Sequence, residues 1–267
     1  MDFNRLSKKS LFFFILSFIV FRLMETVIPR PTYGFIYSDL GFSAKKQNHR
    51  PKAVQYYQRA TYHNPKSPFP YEQLGMIAKE NGQLEEMIEY YKKAASLQSR
   101  DGKVYPALGR YYFERDDFAK ASEAFSKAAE IDRKNAQIYF QLGLAYEQQR
   151  LFPKAIESFR EAIWNHYPHR EEAFYHLGIS YYKADDLINA REQISFLKNC
   201  EAFSLAKDFE AAIGWADPQM RYRLGMQYYE RGDVLGAKEQ VEFLRKMDET
   251  VLAQKLQSLI DTLENAK

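Results

Sequence analysis

The chain has 267 residues, of which 46% are hydrophobic, 16% aromatic and 27% charged, with 38 Lys+Arg against 35 Asp+Glu. That aromatic content excludes a disordered chain, and 12 Gly with 10 Pro are too few for a fibre. A net charge of +3 and one cysteine, Cys200, argue against a dedicated nucleic-acid binder and exclude a disulfide framework or a thiolate zinc site.

The charge is unevenly distributed. Residues 1–66 carry 11 Lys/Arg and 3 Asp/Glu, net +8, so the remaining residues sum to −5. Residues 1–10 are a basic tail with Arg5, Lys8 and Lys9, followed by the apolar run Leu11–Phe21. As a helix that run reaches about 16 Å, roughly half of a ~30 Å hydrocarbon core; extended to Ile28 it reaches about 27 Å. The extension takes in Arg22, which can snorkel, and Glu25, which lies at the interface. No pair of small residues at signal-peptidase spacing follows the run, and no cysteine follows it for lipidation. Residues 11–28 are therefore predicted to be an uncleaved signal anchor, the alternative being a buried or interfacial helix.

Arg5, Lys8 and Lys9 before the run nearly balance Arg30, Lys45 and Lys46 after it. The signal-like order places the tail inside and the bulk of the chain outside the cytoplasm, as expected of a single-pass bacterial inner-membrane protein. Pro29-Arg-Pro31 then suggests a stiff linker over residues 29–33.

A repeat dominates the rest. Leu-Gly pairs end at Gly41, Gly75, Gly109, Gly143, Gly178 and Gly225, spaced 34, 34, 34, 35 and 47 residues apart. Four residues before each glycine stand Tyr37, Tyr71, Tyr105, Tyr139, Phe174 and Arg221. Sixteen after stand Tyr57, Tyr91, Phe125, Phe159, Ile194 and Val241; nineteen after stand Ala60, Ala94, Ala128, Ala162, Leu197 and Leu244. These offsets put large and small residues on one face of each of two helices. Asn81-Gly82, Asp116-Asp117, Asp185-Asp186 and Gly232-Asp233 supply the turns between them. Glycine lets two helices approach closely, and an aromatic ring of the neighbouring helix is predicted to fill the notch.

The pattern resembles the tetratricopeptide repeat (TPR) family over about residues 34–267. The resemblance implies an all-α fold: a right-handed α-solenoid of about six helix-turn-helix repeats, preceded by the single N-terminal hydrophobic helix. Repeats are expected to start near residues 34, 68, 102, 136, 171 and 218. The last two depart from the family together, because residues 181–213 are echoed by 228–260 as a 47-residue unit. Each is read as one repeat plus an added helix, near residues 201–215 and 248–265.

In this family the first helices line a concave face that binds other proteins. Offsets −3, +1 and +4 from each glycine trace that wall, which is mixed and partly basic at first and aromatic-aliphatic later. The resemblance thus implies a binding groove formed by Phe113, Phe140, Leu144, Tyr175, Ile179, Tyr182, Tyr222, Met226 and Tyr229. The alternative is that the added helices pack into the wall and make it core. Ser38 and Phe42 stand where the subclass that grips acidic chaperone tails carries Lys and Asn, so that clamp is not expected. Lys45, Lys46, Arg50 and Lys52 are candidates for contact with anionic headgroups, or else an ordinary solvated face.

Other motifs have plainer explanations. His166, His169 and His176 with Glu171 and Glu172 lack a compact ligand spacing, and Pro168 interrupts them. Arg231-Gly232-Asp233 spells an adhesion tripeptide at a predicted turn. No glycine-rich phosphate loop, nucleophile elbow or His-Glu-x-x-His is present. The expectation is a non-catalytic adaptor with no cofactor or metal. Its partners are a protein client and, through the anchor, the lipid bilayer, with no nucleic acid. A self-associating scaffold or an accessory subunit of an enzyme or secretion complex is the alternative.

Overall fold

The computed structural model describes residues 29–265, and the expected basic tail and signal anchor at residues 1–28 lie outside the described residues. Among the described residues there are fourteen helices and no strand. They are α1 (Arg30–Lys46), α2 (Arg50–His63), α3 (Phe69–Glu80), α4 (Leu84–Ser96), α5 (Val104–Phe113), α6 (Phe118–Ile131) and α7 (Ala136–Gln148). Then follow α8 (Phe152–Trp164), α9 (Arg170–Lys183), α10 (Leu187–Asn199), α11 (Phe203–Ala212), α12 (Pro218–Glu230), α13 (Val234–Lys246) and α14 (Thr250–Asn265). None of the described helices is long and apolar enough to cross a membrane.

The helices form consecutive pairs starting close to the six expected positions, and α11 and α14 are the added helices. One expectation is corrected at the start. The linker assigned to residues 29–33 is mostly the first turn of α1, which carries Pro31 at its beginning. A proline at that position sacrifices an N–H that has no helical partner, and its fixed φ already suits a helix.

The turns work by one device. One residue of each turn pair takes a left-handed backbone, at φ +75° for Gly82, +57° for Asp116, +62° for Asp185 and +74° for Gly232. In three of the four turns the next residue caps the following helix. Asp117 accepts from the Lys120 amide at 3.2 Å, Asp186 from Asn189 at 3.3 Å, and Asp233 from Gly236 at 2.9 Å.

The described residues divide into two compact units, the first ending at Leu108 and the second beginning at Gly109. In the first, a Cβ added to Gly41 would lie 2.7 Å from the Tyr57 ring, so the notch is filled as expected. Ala44, Ala53, Leu74 and Ile77 complete the cluster around Tyr57. Burial pushes the Tyr57 phenol up to about 12, and Tyr91, at the same place in the next pair, also to about 12. Glu72 is buried at 7% exposure and accepts a 2.6 Å hydrogen bond from the Ser99 hydroxyl, itself buried. Burial raises the Glu72 carboxyl, the Ser99 bond opposes this, and the Asp101 charge adds to the rise.

In the second unit Gly109 meets Phe125, and Gly143 meets Phe159, each with an added Cβ at 2.6 Å from the ring. The last two units change partners. Here Gly178 faces Phe209 of α11, and Gly225 faces Leu256 of α14. The reason is volume: Ile194 and Val241 are shorter than the rings they replace, so the notch is open until an added helix supplies the filling group. Around Phe209 gather Phe174, Ala190, Ile194, Leu197, Ala206 and Ile213.

Two outcomes test this packing. Gly143→Ala should lose about 1–2 kcal/mol in denaturant unfolding, because overpacking against the fully buried Phe159 exceeds the helix-propensity gain. Gly102→Ala, with open space around it, should be near neutral. Glu72→Gln keeps the acceptor for Ser99 and removes the titration. A carboxyl raised in the folded state binds its proton more tightly there, so its contribution is full below the ordinary value near 4.5 and is lost as pH rises. The Glu72→Gln variant should therefore melt above the parent at pH 7 and close to it at pH 4.

Candidate functional site

The spacing i, i+4, i+7 puts Tyr175, Ile179 and Tyr182 on one face of α9, and Tyr222, Met226 and Tyr229 on one face of α12. All six are half-buried. Tyr175, Ile179 and Tyr182 rest on the cluster built around Phe209, and the Tyr175 ring meets Phe209 edge-on at 5.9 Å. Tyr222, Met226 and Tyr229 rest on a second cluster, of Leu187, Leu224, Val241, Leu244 and Leu256 among others. Tyr182 and Trp215 pack against both clusters, so the two stripes belong to one continuous apolar layer. The added helices therefore support the wall from beneath while leaving its side chains partly accessible.

Polar contacts hold α12 in place. The Leu187 amide donates to Gln227 Oε1 at 2.9 Å, and Gln227 Nε2 donates to the Asp185 carbonyl. Arg231 pairs with Asp186 at 3.0 Å, and Arg191 donates to the Tyr228 hydroxyl at 2.9 Å and to Glu239 at 2.6 Å. These join α12 to the α9–α10 turn, which fixes one stripe beside the other. Arg231-Gly232-Asp233 is consumed by this arrangement and by the Asp233 cap, so turn structure accounts for the tripeptide.

The remaining groove candidates behave differently. Phe113 is half-buried on the cluster of Ala121, Phe125, Leu142 and Ala145, and its ring meets Phe118 edge-on at 5.2 Å. Leu144 is half-buried against the neighbouring cluster. Phe140 is not a groove residue. It is 5% exposed and lies under Tyr167, with the rings stacked at 4.3 Å. The α8–α9 connection carries Tyr167 over it, a closure that helix spacing alone does not reveal.

The basic candidates divide as well. Lys45 donates to Gln73 at 3.0 Å and Arg50 pairs with Glu80 at 3.4 Å, so both are spent partly within the fold. Lys46 and Lys52 are exposed. The histidines do not converge: His176 Nδ1 lies 3.0 Å from Glu147 Oε2 and its ring stacks on Phe159, while His169 precedes α9 without a side-chain capping bond. Among the described residues no group of three or more His, Cys, Asp or Glu is placed to hold a metal ion.

Arg221 is the residue that pattern reading passed over. It occupies the offset where the other repeats carry Tyr or Phe, is 8% exposed, and has no salt bridge among the described residues. Its guanidinium lies 4.1 Å from the Trp215 ring centroid and 4.5 Å from that of Phe243, with Nε unpartnered. Burial, and secondarily the Arg191 charge, lower its pKa from the ordinary value. The aromatic faces hold the cation where a carboxylate is missing. The visible signal was the break in the aromatic series. Arg221→Lys should lose about 1–2 kcal/mol in chemical denaturation, because a compact ammonium cannot stack as a plane between two rings. Arg221→Ala should lose more.

Comparison with known proteins agrees with the helical pairs. The family description "TPR repeat" matches residues 109–149, and "Tetratricopeptide repeat" matches residues 70–101 and 136–163. Among solved structures the chain is similar to YrrB, a TPR protein with an unusual peptide-binding site. The identity is 18%, with 66% of this chain and 90% of YrrB covered and a TM-score of 0.51. It is also similar to MamA from Desulfovibrio magneticus RS-1, at 19% identity, 64% and 96% coverage and a TM-score of 0.45. The first supports the fold; the second is too distant to add to it. A search of curated proteins finds no match. The match to the tetratricopeptide repeat thus covers residues 70–101 and 109–163, in a chain whose described part consists of helices throughout.

Proposed function

We propose that the chain is a non-catalytic, membrane-tethered adaptor that holds a client protein for the assembly or stabilisation of an envelope complex. TPR repeats as a class bind proteins, and the reading of a client site rests on one observation, the half-buried aromatic-aliphatic layer of α9 and α12. Six large apolar side chains that remain partly accessible suit an amphipathic helix or an extended apolar peptide. The tether is argued from residues 11–28, whose apolar run behind a basic tail is the composition of a signal anchor. The orientation we favour places the repeats outside the cytoplasm of a bacterial inner membrane. Anchoring would raise the effective concentration of the layer towards membrane-bound clients. Lys46 and Lys52 would add attraction to anionic headgroups.

Crosslinking in intact membranes, compared between the parent and a Tyr222→Ser/Tyr229→Ser variant of unchanged helical content, tests the reading. A client crosslinked to the parent and lost from the variant is the expected result. Identical crosslinked sets would overturn the apolar layer as the client site, and recovery of a single crosslinked homodimer would make the protein a self-associating scaffold. Release of the full chain from membranes by alkaline carbonate would overturn the anchor. Digestion of the repeats by protease from the cytoplasmic side would overturn the orientation.

A further inference from the structure

A cavity of about 640 Å³ opens between α8, α9 and α10, within the size range, roughly 300–1,000 Å³, of pockets that hold ligands. It leaves α9 through Phe174, Leu177 and Tyr181, a different helix face from the one that carries Tyr175, Ile179 and Tyr182. It is therefore separate from the client face proposed above.

Its lining breaks the repeat pattern. Eighteen residues after their glycines the first four repeats carry Arg59, Lys93, Lys127 and Glu161, whereas the last two carry Phe196 and Phe243. Twenty-one residues after, the repeats carry Tyr62, Ser96, Glu130, Asn199 and Lys246, but the fourth carries Trp164. Trp164 and Phe196 line the cavity, Trp164 with 80% of its surface exposed and Phe196 with 46%. The Phe196 ring stacks on Phe174 at 5.2 Å and 9°, and the Arg170 guanidinium lies 5.7 Å from the Phe174 centroid. An indole left in water at the mouth of a cavity, beside a stacked pair, is an anchor point for a large apolar side chain.

Two polar features state what else the occupant must carry. Gln193 lines the cavity at 5% exposure, and its Oε1 has no partner. The amide orientation is fixed, because Nε2 donates at 3.1 Å to the Asn189 carbonyl, which can only accept. An unfilled buried acceptor asks for an N–H donor. Arg160 and Arg170 also line the cavity, and neither has a salt bridge among the described residues; Glu192 is the acid among the lining groups. The excess is positive, so the complementary ligand is anionic.

We infer that this cavity is a second protein-binding site, occupied by an extended acidic peptide segment of a partner protein that carries one aromatic or large aliphatic anchor. The anchor sits against Trp164 and Phe196, a backbone N–H donates to Gln193 Oε1, and flanking carboxylates accept from Arg160 and Arg170. The protein's own residues 1–28 do not fit, since Arg5, Lys8, Lys9 and Arg22 outnumber Asp2 and Glu25 and would meet two arginines.

Full-length protein in detergent, panned with a random peptide library displayed on phage, tests the assignment. The expected yield is a set of peptides rich in Asp and Glu around a single aromatic or aliphatic residue. A synthetic copy of the most enriched peptide, followed by Trp164 emission in a Trp215→Phe background, should lose at least about tenfold in affinity with Arg160→Ser/Arg170→Ser. It should lose about fivefold with Gln193→Leu, a change that removes an unpaired buried acceptor and so leaves folding intact. It should bind the Tyr222→Ser/Tyr229→Ser variant as it binds the parent, which separates this site from the client face. No enrichment, enrichment of neutral or basic peptides, or affinity indifferent to Arg160 and Arg170 would overturn the inference. Self-association abolished by Arg160→Glu would overturn it too, by making a second copy the occupant.

Discussion

The closest approach in each repeat, a backbone without a side chain pressed against the face of a ring, sets the geometry of the rest. Gly41 against Tyr57, Gly109 against Phe125 and Gly143 against Phe159 leave no space for even a methyl group. The rings are fully buried, so the contact is rigid and fixes both the distance and the rotation of one helix on the other. Once that rotation is set, the remaining faces of the first helix are assigned. One meets the neighbouring pair and another is left to water or a ligand. The side chains of α9 and α12 that form the apolar layer owe their exposure to a contact on another face of the same helices.

The added helices follow from the same constraint. Where the ring is replaced by Ile194 or Val241, the glycine remains but its neighbour is too short to reach it, and Phe209 or Leu256 arrives from the next helix. The notch is therefore preserved and its occupant relocated. This has a structural consequence for the candidate site. A helix that enters the notch also brings Ile213 or Ile260 beneath the wall, so the two stripes are floored by α11 and α14 rather than by second helices alone. Extra packing below lets large apolar side chains remain half-exposed above without collapsing into a void, because the interior under them is already filled.

Much of this was legible in the sequence. The glycine spacing, the breaker pairs and the 47-residue echo locate the pairs and both added helices, because each rests on a local rule: helical period, left-handed turn, N-cap. Contacts made by connecting residues were not legible. Phe140 has the offset of a wall residue, yet Tyr167 from the α8–α9 connection covers it, and nothing in the period of α7 encodes that. The Pro29–Pro31 segment misled for a related reason, since proline ends one helix by the same chemistry with which it begins another. Arg221 was visible only as a departure; that it lies between Trp215 and Phe243 depends on a residue of the α11–α12 connection and one on α13.

Departures from the repeat carry more information about binding than the repeat itself does. Residues that every pair shares are those that the helix contact requires, so they are filled with Gly, Ala and rings irrespective of partner. Binding surfaces must be written at the positions that packing leaves free. Trp164 stands where the other units place mostly polar residues and leaves 80% of its surface exposed; Phe196 stands where the first four units place charged residues, stacks on Phe174 and still leaves 46% exposed. An aromatic as exposed as Trp164 lowers solubility, whereas a lysine there would cost the fold nothing. Gln193 is shared with Gln240 at the same offset in the next unit, but it lies in the cavity wall. An unpaired buried acceptor is a standing penalty, and a leucine of similar volume would relieve it. The exposed indole, the exposed edge of Phe196 and the unpaired acceptor, beside two arginines without carboxylate partners among the described residues, are the features that the proposed peptide would satisfy.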